Sequence, residues 1–110
     1  MNISTHFDPA LRQRINEDMS LRKLATKTQI SYIRAINRLC EYLQHSPENI
    51  THEELREFQL FLVNDGSSGT TINSMISGLK FLYQTTLDKP QTVSKLSYIP
   101  VARNLPIVLA

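Results

Sequence analysis

The chain has 110 residues, 41% of them hydrophobic and 20% charged, and 12 Lys/Arg against 10 Asp/Glu give it a formal net charge of +2. This length suits one domain and is too short for two, and the composition excludes disordered and collagen-like proteins. No stretch approaches the roughly 18 apolar residues that span a bilayer, and the N-terminus has no secretory signal pattern. We therefore expect a cytoplasmic protein with no membrane partner.

The secondary-structure signal is helical throughout. Three Gly and five Pro are too few for the many tight turns of an all-β protein, and Val, Ile and Thr show no two-residue alternation. The sequence therefore predicts an all-α fold. The lone Cys40 lies inside an apolar periodic run, which predicts a small buried side chain rather than a reactive thiol.

The first helix is predicted over residues 8–22. Asp8 is its expected N-cap and Pro9 occupies its first position, where the missing N–H costs nothing. The apolar stripe is thin, which predicts packing at an edge of the core, and consists of Leu11, Ile15 and Met19.

The second helix is predicted over residues 26–44 and has two distinct faces. Thr26 and Gln29 have the spacing of a capping box at its start. At about 100° per residue, one arc collects the apolar residues Tyr32, Ile33, Ile36, Leu39, Cys40 and Leu43. The opposite side is cationic and polar, and carries Lys27, Ser31, Arg34 and Arg38.

The third helix, residues 52–64, is acidic. Thr51 and Glu54 provide a second capping box, and the first turns are rich in Glu, which suits the helix dipole. Its predicted core face consists of Leu55, Phe58, Phe61 and Leu62.

The fourth helix is predicted over residues 70–87, after a turn at 65–69. Its apolar stripe consists of Ile72, Met75, Ile76, Leu79, Leu82 and Tyr83. The other face carries small hydrogen-bonding groups and one cation, namely Thr70, Asn73, Ser74, Ser77, Gly78 and Lys80. Phe81 falls on this polar face, so we expect it to meet the first helix or a partner surface.

Periodicity disappears after residue 88, and Pro100 and Pro106 interrupt the remaining stretch. We therefore divide the chain into a helical domain, residues 1–88, and a linker or tail, residues 89–110. One turn of helix is expected near residues 93–96.

The sequence contains no recognisable catalytic or metal site. His6, His45 and His52 lack ligand spacing, and Cys40 has no second thiol nearby. The turn at 65–69 has neither a preceding strand nor a Lys-Ser/Thr pair, so it is no phosphate loop. No Ser lies in a nucleophile elbow. We predict no cofactor, no metal ion and no catalytic residue.

Charge is distributed unevenly along the chain. The net charge is +3 for residues 1–45, −4 for 46–66 and +3 for 67–110. Cations on the second helix, beside small polar groups on the fourth, would supply phosphate contacts and hydrogen bonds to a nucleic acid. A solvated helix face explains the same stripe equally well, so the residue pattern alone leaves both interpretations open.

Three segments, in order, resemble the N-terminal SAM-like, or core-binding, domain of tyrosine recombinases and of phage or integron integrases. Residues 21–43 resemble its S-x-x-T-x-x-x-Y pattern through Thr28 and Tyr32, with Ala25 in the place of the Ser. Residues 67–87 resemble its second helical motif, and residues 104–110 resemble the R-L-P-V-V-L-S segment that opens the catalytic domain of integron integrases. The second motif is matched by Ser68, Thr71, Leu79, Phe81 and Tyr83.

The resemblance implies a small bundle of four to five helices that forms one half of a clamp around double-stranded DNA at a recombination core site. The second and fourth helices match the family's DNA-facing helices. The residues expected to contact DNA are then Lys27, Thr28, Ser31, Arg34, Arg38, Thr70, Asn73, Ser74, Ser77 and Lys80.

The resemblance also implies that the nucleophilic Tyr and its Arg, Lys and His partners belong to a C-terminal catalytic domain, which this chain stops short of. Tyr98 matches no catalytic position. We therefore expect a monomeric fragment without enzymatic activity, whose further partners are the missing catalytic domain and other recombinase protomers.

Two other functions fit parts of the sequence. A helical protein-interaction module would dock a partner through Phe81 and the apolar tail, with no role for DNA. A helix-turn-helix regulator fits less well, because the connection between the third and fourth helices is expected to exceed the usual turn of about three to four residues. The helices that come after short turns also lack base-reading Arg, Lys or Gln.

Overall fold

The computed structural model describes residues 4–100, which form four α-helices joined by short turns. The helices are α1 (Pro9–Leu21), α2 (Thr26–Leu43), α3 (His52–Asn64) and α4 (Gly69–Phe81). A π-helical turn at Leu82–Thr86 and 3-10 turns at Pro47–Asn49 and Pro90–Val93 complete the fold. Residues 4–100 contain no β-strand, so the predicted small all-α bundle is confirmed.

Side-chain caps begin three of the helices. Asp8 caps α1, as predicted, and accepts a hydrogen bond from a backbone N–H of the first turn. Thr51 and Glu54 form the predicted capping box at the start of α3, and Ser68 caps α4. Each such cap stabilises its helix by about 1 kcal/mol.

α2 begins without a side-chain cap, so the predicted capping box at its start is wrong. Ala25 occupies the N-cap position and Thr26 is already helical. A capping hydroxyl must belong to the residue before the first helical one, so Thr26 lies one position too late. The Gln29 side chain instead donates a hydrogen bond to the carbonyl of Leu24, at 2.9 Å.

The bounds of α4 also differ from the prediction. Its α-helical part ends at Phe81, and the chain continues through the π-helical turn to Thr86. The connection from α3 to α4 consists of residues 65–68, with Gly66 at φ +88°. The expectation of a connection longer than four residues is therefore wrong.

The core is built from all four helices, and α1 contributes more than predicted. Ile15 and Met19 are fully buried, and the hydroxyl of Thr86 donates a hydrogen bond to the Asp18 carboxylate at 2.8 Å. α1 is thus tied to the π-helical turn. The predicted apolar residues of α2, α3 and α4 lie in the same core, except that Tyr32 and Leu43 are only partly buried at its margin and Phe61 lies outside it.

Of two residues predicted to lie in the core, Cys40 on α2 is buried and Phe61 on α3 is not. Cys40 is fully buried, as predicted, and burial raises the pKa of its thiol to about 12. Phe61 does not lie in the core, because its side chain is 39% exposed. Its ring packs instead on that of Tyr42, with the ring centres 4.8 Å apart.

Residues 90–96 of the predicted tail lie against the bundle. Thr92, Val93 and Leu96 are buried, and the 3-10 turn contacts α3 and α4. This turn lies slightly before the one expected near residues 93–96. The domain boundary after residue 88 stays a prediction. Residues 101–110, including the segment that resembles the start of a catalytic domain, lie outside the described residues.

None of the helices within residues 4–100 is long and apolar enough to cross a membrane.

Candidate nucleic-acid interface

α2 and α4 pack directly on each other, and Gly78 lies where they approach closely. A Cβ atom at this position would lie 3.0 Å from Cα of Tyr32 and 3.3 Å from Cβ of Ala35. Both distances are shorter than the carbon–carbon optimum of about 3.5–4.0 Å. The missing side chain therefore lets the polar face of α4 lie beside the cationic face of α2.

A groove runs between these two helices and brings the two predicted faces together. Its wall on α2 consists of Lys27, Ile30, Ser31, Arg34, Ala35 and Arg38, and its wall on α4 of Thr70, Thr71, Ser74 and Met75. A smaller adjoining hollow is lined by Lys27, Thr28, Ser31, Tyr32, Ser74 and Ser77. Eight of the ten residues expected to contact DNA thus border one surface, and no acidic side chain lines it.

The cations of the groove all come from α2. Lys27 and Arg34 are exposed. Arg38 forms an ion pair with Asp65, at 3.2 Å, in which both side chains remain more than 40% exposed. An exposed pair of this kind contributes only about 0–1 kcal/mol. A phosphate group can therefore replace Asp65 as the partner of Arg38 at little cost.

The other two predicted residues, Asn73 and Lys80, lie beside the groove and contact residues 98–99. The Asn73 side chain exchanges two hydrogen bonds with the backbone of Ile99, at 2.8 and 2.6 Å. The ammonium group of Lys80 lies 4.5 Å from the ring centre of Tyr98. The sequence pattern did not reveal these contacts, because residues 97–100 have no periodicity that would place them.

Two exposed residues of the groove were missed by the sequence reasoning. Ile30 is 44% exposed on the wall of the groove, and its spacing of three from Lys27 and four from Arg34 could have placed it in the cationic stripe. Thr71 was assigned only to a family motif. An apolar group at Ile30 is suited to contact with a thymine methyl in a major groove.

Phe81 does not project into solvent as an isolated apolar group. It is half-buried against the core, with the Arg22 guanidinium 5.6 Å from its ring centre and the Tyr32 ring 5.8 Å away, centre to centre. Phe81 therefore meets the end of α1, as expected, and also α2. This position weakens the case for Phe81 as an anchor for a partner protein.

A second ion pair lies outside the groove, where α2 leads into α3. His45 Nε2 lies 3.0 Å from a carboxylate oxygen of Glu54. This hydrogen bond raises the pKa of His45 and lowers that of Glu54. Within residues 4–100, no three His, Cys, Asp or Glu side chains are placed to hold a metal ion.

Comparison with known proteins identifies a family and a relative. Residues 11–93 match the profile of the family described as phage integrase, N-terminal SAM-like domain. Over 102 residues, the chain is 29% identical to the protein named "Putative integrase/recombinase y4qK" of Sinorhizobium fredii (strain NBRC 101917 / NGR234), an alignment that covers 91% of this chain. The chain spans about a third, 33%, of that relative's length. No solved structure matches the chain.

Proposed function

The chain belongs to the family of phage-integrase N-terminal SAM-like domains, and we propose that it grips duplex DNA for a site-specific tyrosine recombinase at the recombination core site. The observation that carries this proposal is the groove between α2 and α4, which combines three cations with small hydroxyl groups and no acidic lining residue.

Each wall of the groove has a separate task in the proposed complex. Lys27, Arg34 and Arg38 neutralise phosphates, which supplies most of the affinity and makes it depend on salt. The small side chains of α4, such as Thr70 and Ser74, let the helix backbone come close to the duplex and offer hydrogen bonds to phosphate or base edges.

The number of cations sets the expected strength of binding. A surface with so few phosphate contacts falls in the range of non-specific DNA binding, with a Kd of about 10⁻⁶ to 10⁻⁴ M. We propose that tight binding needs a second half of the clamp, which would also carry the catalytic residues. The length of the relative, of which this chain spans 33%, is compatible with such a second part. Other recombinase protomers are the further proposed partners.

Fluorescence anisotropy with a labelled duplex, at about 50 and 200 mM salt, tests the proposal. We expect binding at the lower salt and a steep loss at the higher one. Arg34→Ala should weaken binding and reduce the slope of log K against log salt by about 1.

Arg56→Ala is the matched control, since Arg56 is an exposed arginine on the acidic helix α3. It should leave both the affinity and the salt slope close to those of the wild type. No DNA-dependent signal at the lower salt would overturn the proposal and favour a protein-interaction module. Equal effects of the two arginine substitutions would overturn the assignment of the groove.

A further inference from the structure

Residues 97–99 are bound to the surface of α3 and α4 through their backbone. Gln59 of α3 donates a hydrogen bond to the carbonyl of Ser97, at 2.9 Å. The Asn73 amide nitrogen of α4 donates to the carbonyl of Ile99, at 2.8 Å, and the backbone N–H of Ile99 donates to the Asn73 amide oxygen, at 2.6 Å. The residue held between these two anchors is Tyr98.

Tyr98 lies at the rim of the groove. Its hydroxyl is 3.2 Å from the hydroxyl of Ser77, which lines the hollow shared with Lys27 and Ser74. The Lys80 ammonium lies 4.5 Å from the centre of its ring. The side chain of Tyr98 is nevertheless half exposed, at 49%, so it remains accessible to a ligand that enters the groove.

We propose that Tyr98 is a third component of the DNA-binding surface, and that its phenolic O–H donates a hydrogen bond to a DNA phosphate. This inference rests on the proposed function. Ser77 can donate its own proton to the Tyr98 oxygen, which leaves the phenolic proton for the phosphate. Lys80 places a positive charge beside the same phosphate. Ser77, Lys80 and Tyr98 then act as one phosphate-binding cluster, which we call the rim cluster.

Asn73 has a different role in this arrangement from the one its position on α4 suggests. Its amide oxygen and nitrogen both bind the backbone of Ile99, one residue from Tyr98. Asn73 is therefore a positioning residue, which holds residues 97–99 so that Tyr98 stays beside Ser77. Its loss acts through Tyr98 and not through a direct contact with DNA.

Hydroxyl deletion tests the role of Tyr98. The anisotropy assay at about 50 mM salt compares the wild type with Tyr98→Phe, which keeps the ring over Lys80. We expect Tyr98→Phe to raise the Kd by about 3- to 10-fold, the loss that one hydrogen bond predicts. Tyr42→Phe is the matched control, because Tyr42 is 39% exposed and its ring packs on Phe58 and Phe61, away from the groove. It should change the Kd by less than about 2-fold.

A double substitution tests the role of Asn73. If Asn73 acts through Tyr98, then Asn73→Ala combined with Tyr98→Phe is no weaker than the more damaging single variant, since residues that act as one unit are not additive. Independent losses that add would show a direct contact by Asn73. In the wild type, the Ile99 backbone N–H should exchange slowly with solvent in the DNA complex, because its hydrogen bond to the Asn73 amide oxygen is retained.

The outcomes separate this inference from the proposed function. Wild-type binding with an unchanged Kd for Tyr98→Phe would overturn the role of Tyr98 alone. Tighter binding by Tyr98→Phe would also overturn it, and would indicate that residues 97–99 cover the groove. No binding by the wild type would overturn the proposed function and this inference with it. Unchanged circular dichroism of each variant shows that the fold is retained.

Discussion

Replacing Gly78 by Ala tests whether α2 and α4 approach as closely as the geometry indicates. Two opposing terms set the result. A helical Gly→Ala change gains about 1 kcal/mol of helix propensity. The added methyl would lie 3.0 Å from Cα of Tyr32, and overpacking of a tight interface costs about 1–3 kcal/mol. Since the contact is with backbone, a side-chain rotation cannot relieve it.

The overpacking term is the larger one, so we expect a net loss of about 1 kcal/mol, which lowers Tm by about 4–8 °C for a domain of this size. Thermal unfolding followed by circular dichroism measures it. Ser74→Ala, on the exposed face of the same helix, is the control and should be neutral or slightly stabilising. If Gly78→Ala instead raises stability by the full propensity gain, the close approach of α2 and α4 is refuted.

Three further predictions concern the rest of the fold. The ion pair of His45 and Glu54 should stabilise the protein most between about pH 4.5 and 6.5, the ordinary pKa values of the two groups. His45 has a raised pKa, so its contribution is lost as pH rises through that pKa, and Glu54 has a lowered one, so its contribution is lost as pH falls through it. The effect is at most about 1 kcal/mol for so exposed a pair, and urea unfolding of His45→Gln should show no such maximum. Ile15→Ala should cost about 2–5 kcal/mol in urea unfolding, whereas a loss below about 1 kcal/mol would mean that α1 is peripheral. Cys40, fully buried with a pKa near 12, should react with a thiol reagent only as fast as the protein unfolds, and rapid labelling of the native state would contradict its burial.

The positions of the helices followed from local signals that act over a few residues. Asp8 and Thr51 are caps whose side chains bind the first turn of their own helix, so neighbouring sequence is sufficient to locate them. The prediction that Thr26 caps α2 was wrong for a related reason. Ala25, the residue before it, has the extended backbone of an N-cap, and its side chain cannot accept a hydrogen bond. A residue type that is favourable for capping, as Thr26 is, therefore does not by itself fix the start of a helix to the residue.

The groove was predictable in part, because a helical period of about 3.6 residues collects Lys27, Arg34 and Arg38 on one side of α2. Periodicity could not show which helix lies next to that side; its place beside α4 was a hypothesis that the resemblance then supported. Contacts between segments that are distant in the sequence, or irregular in structure, could not be predicted from the sequence. The pairing of Arg38 with Asp65 joins a helix to a turn, and the contact of Tyr98 with Ser77 joins residues 21 positions apart. Neither leaves a periodic signal.

The hydrogen bond from Thr86 to Asp18 joins residues 68 positions apart in the chain, and α1 packs on the same π-helical turn. During synthesis, α1 therefore leaves the ribosome well before the π-helical turn that packs on it. Local helices can form early in the nascent chain, but the apolar side of α1 stays exposed to water until the π-helical turn has left the ribosome. A stall in translation before residue 86 would expose Ile15 and Met19 to chaperones, and the finished bundle would hide them.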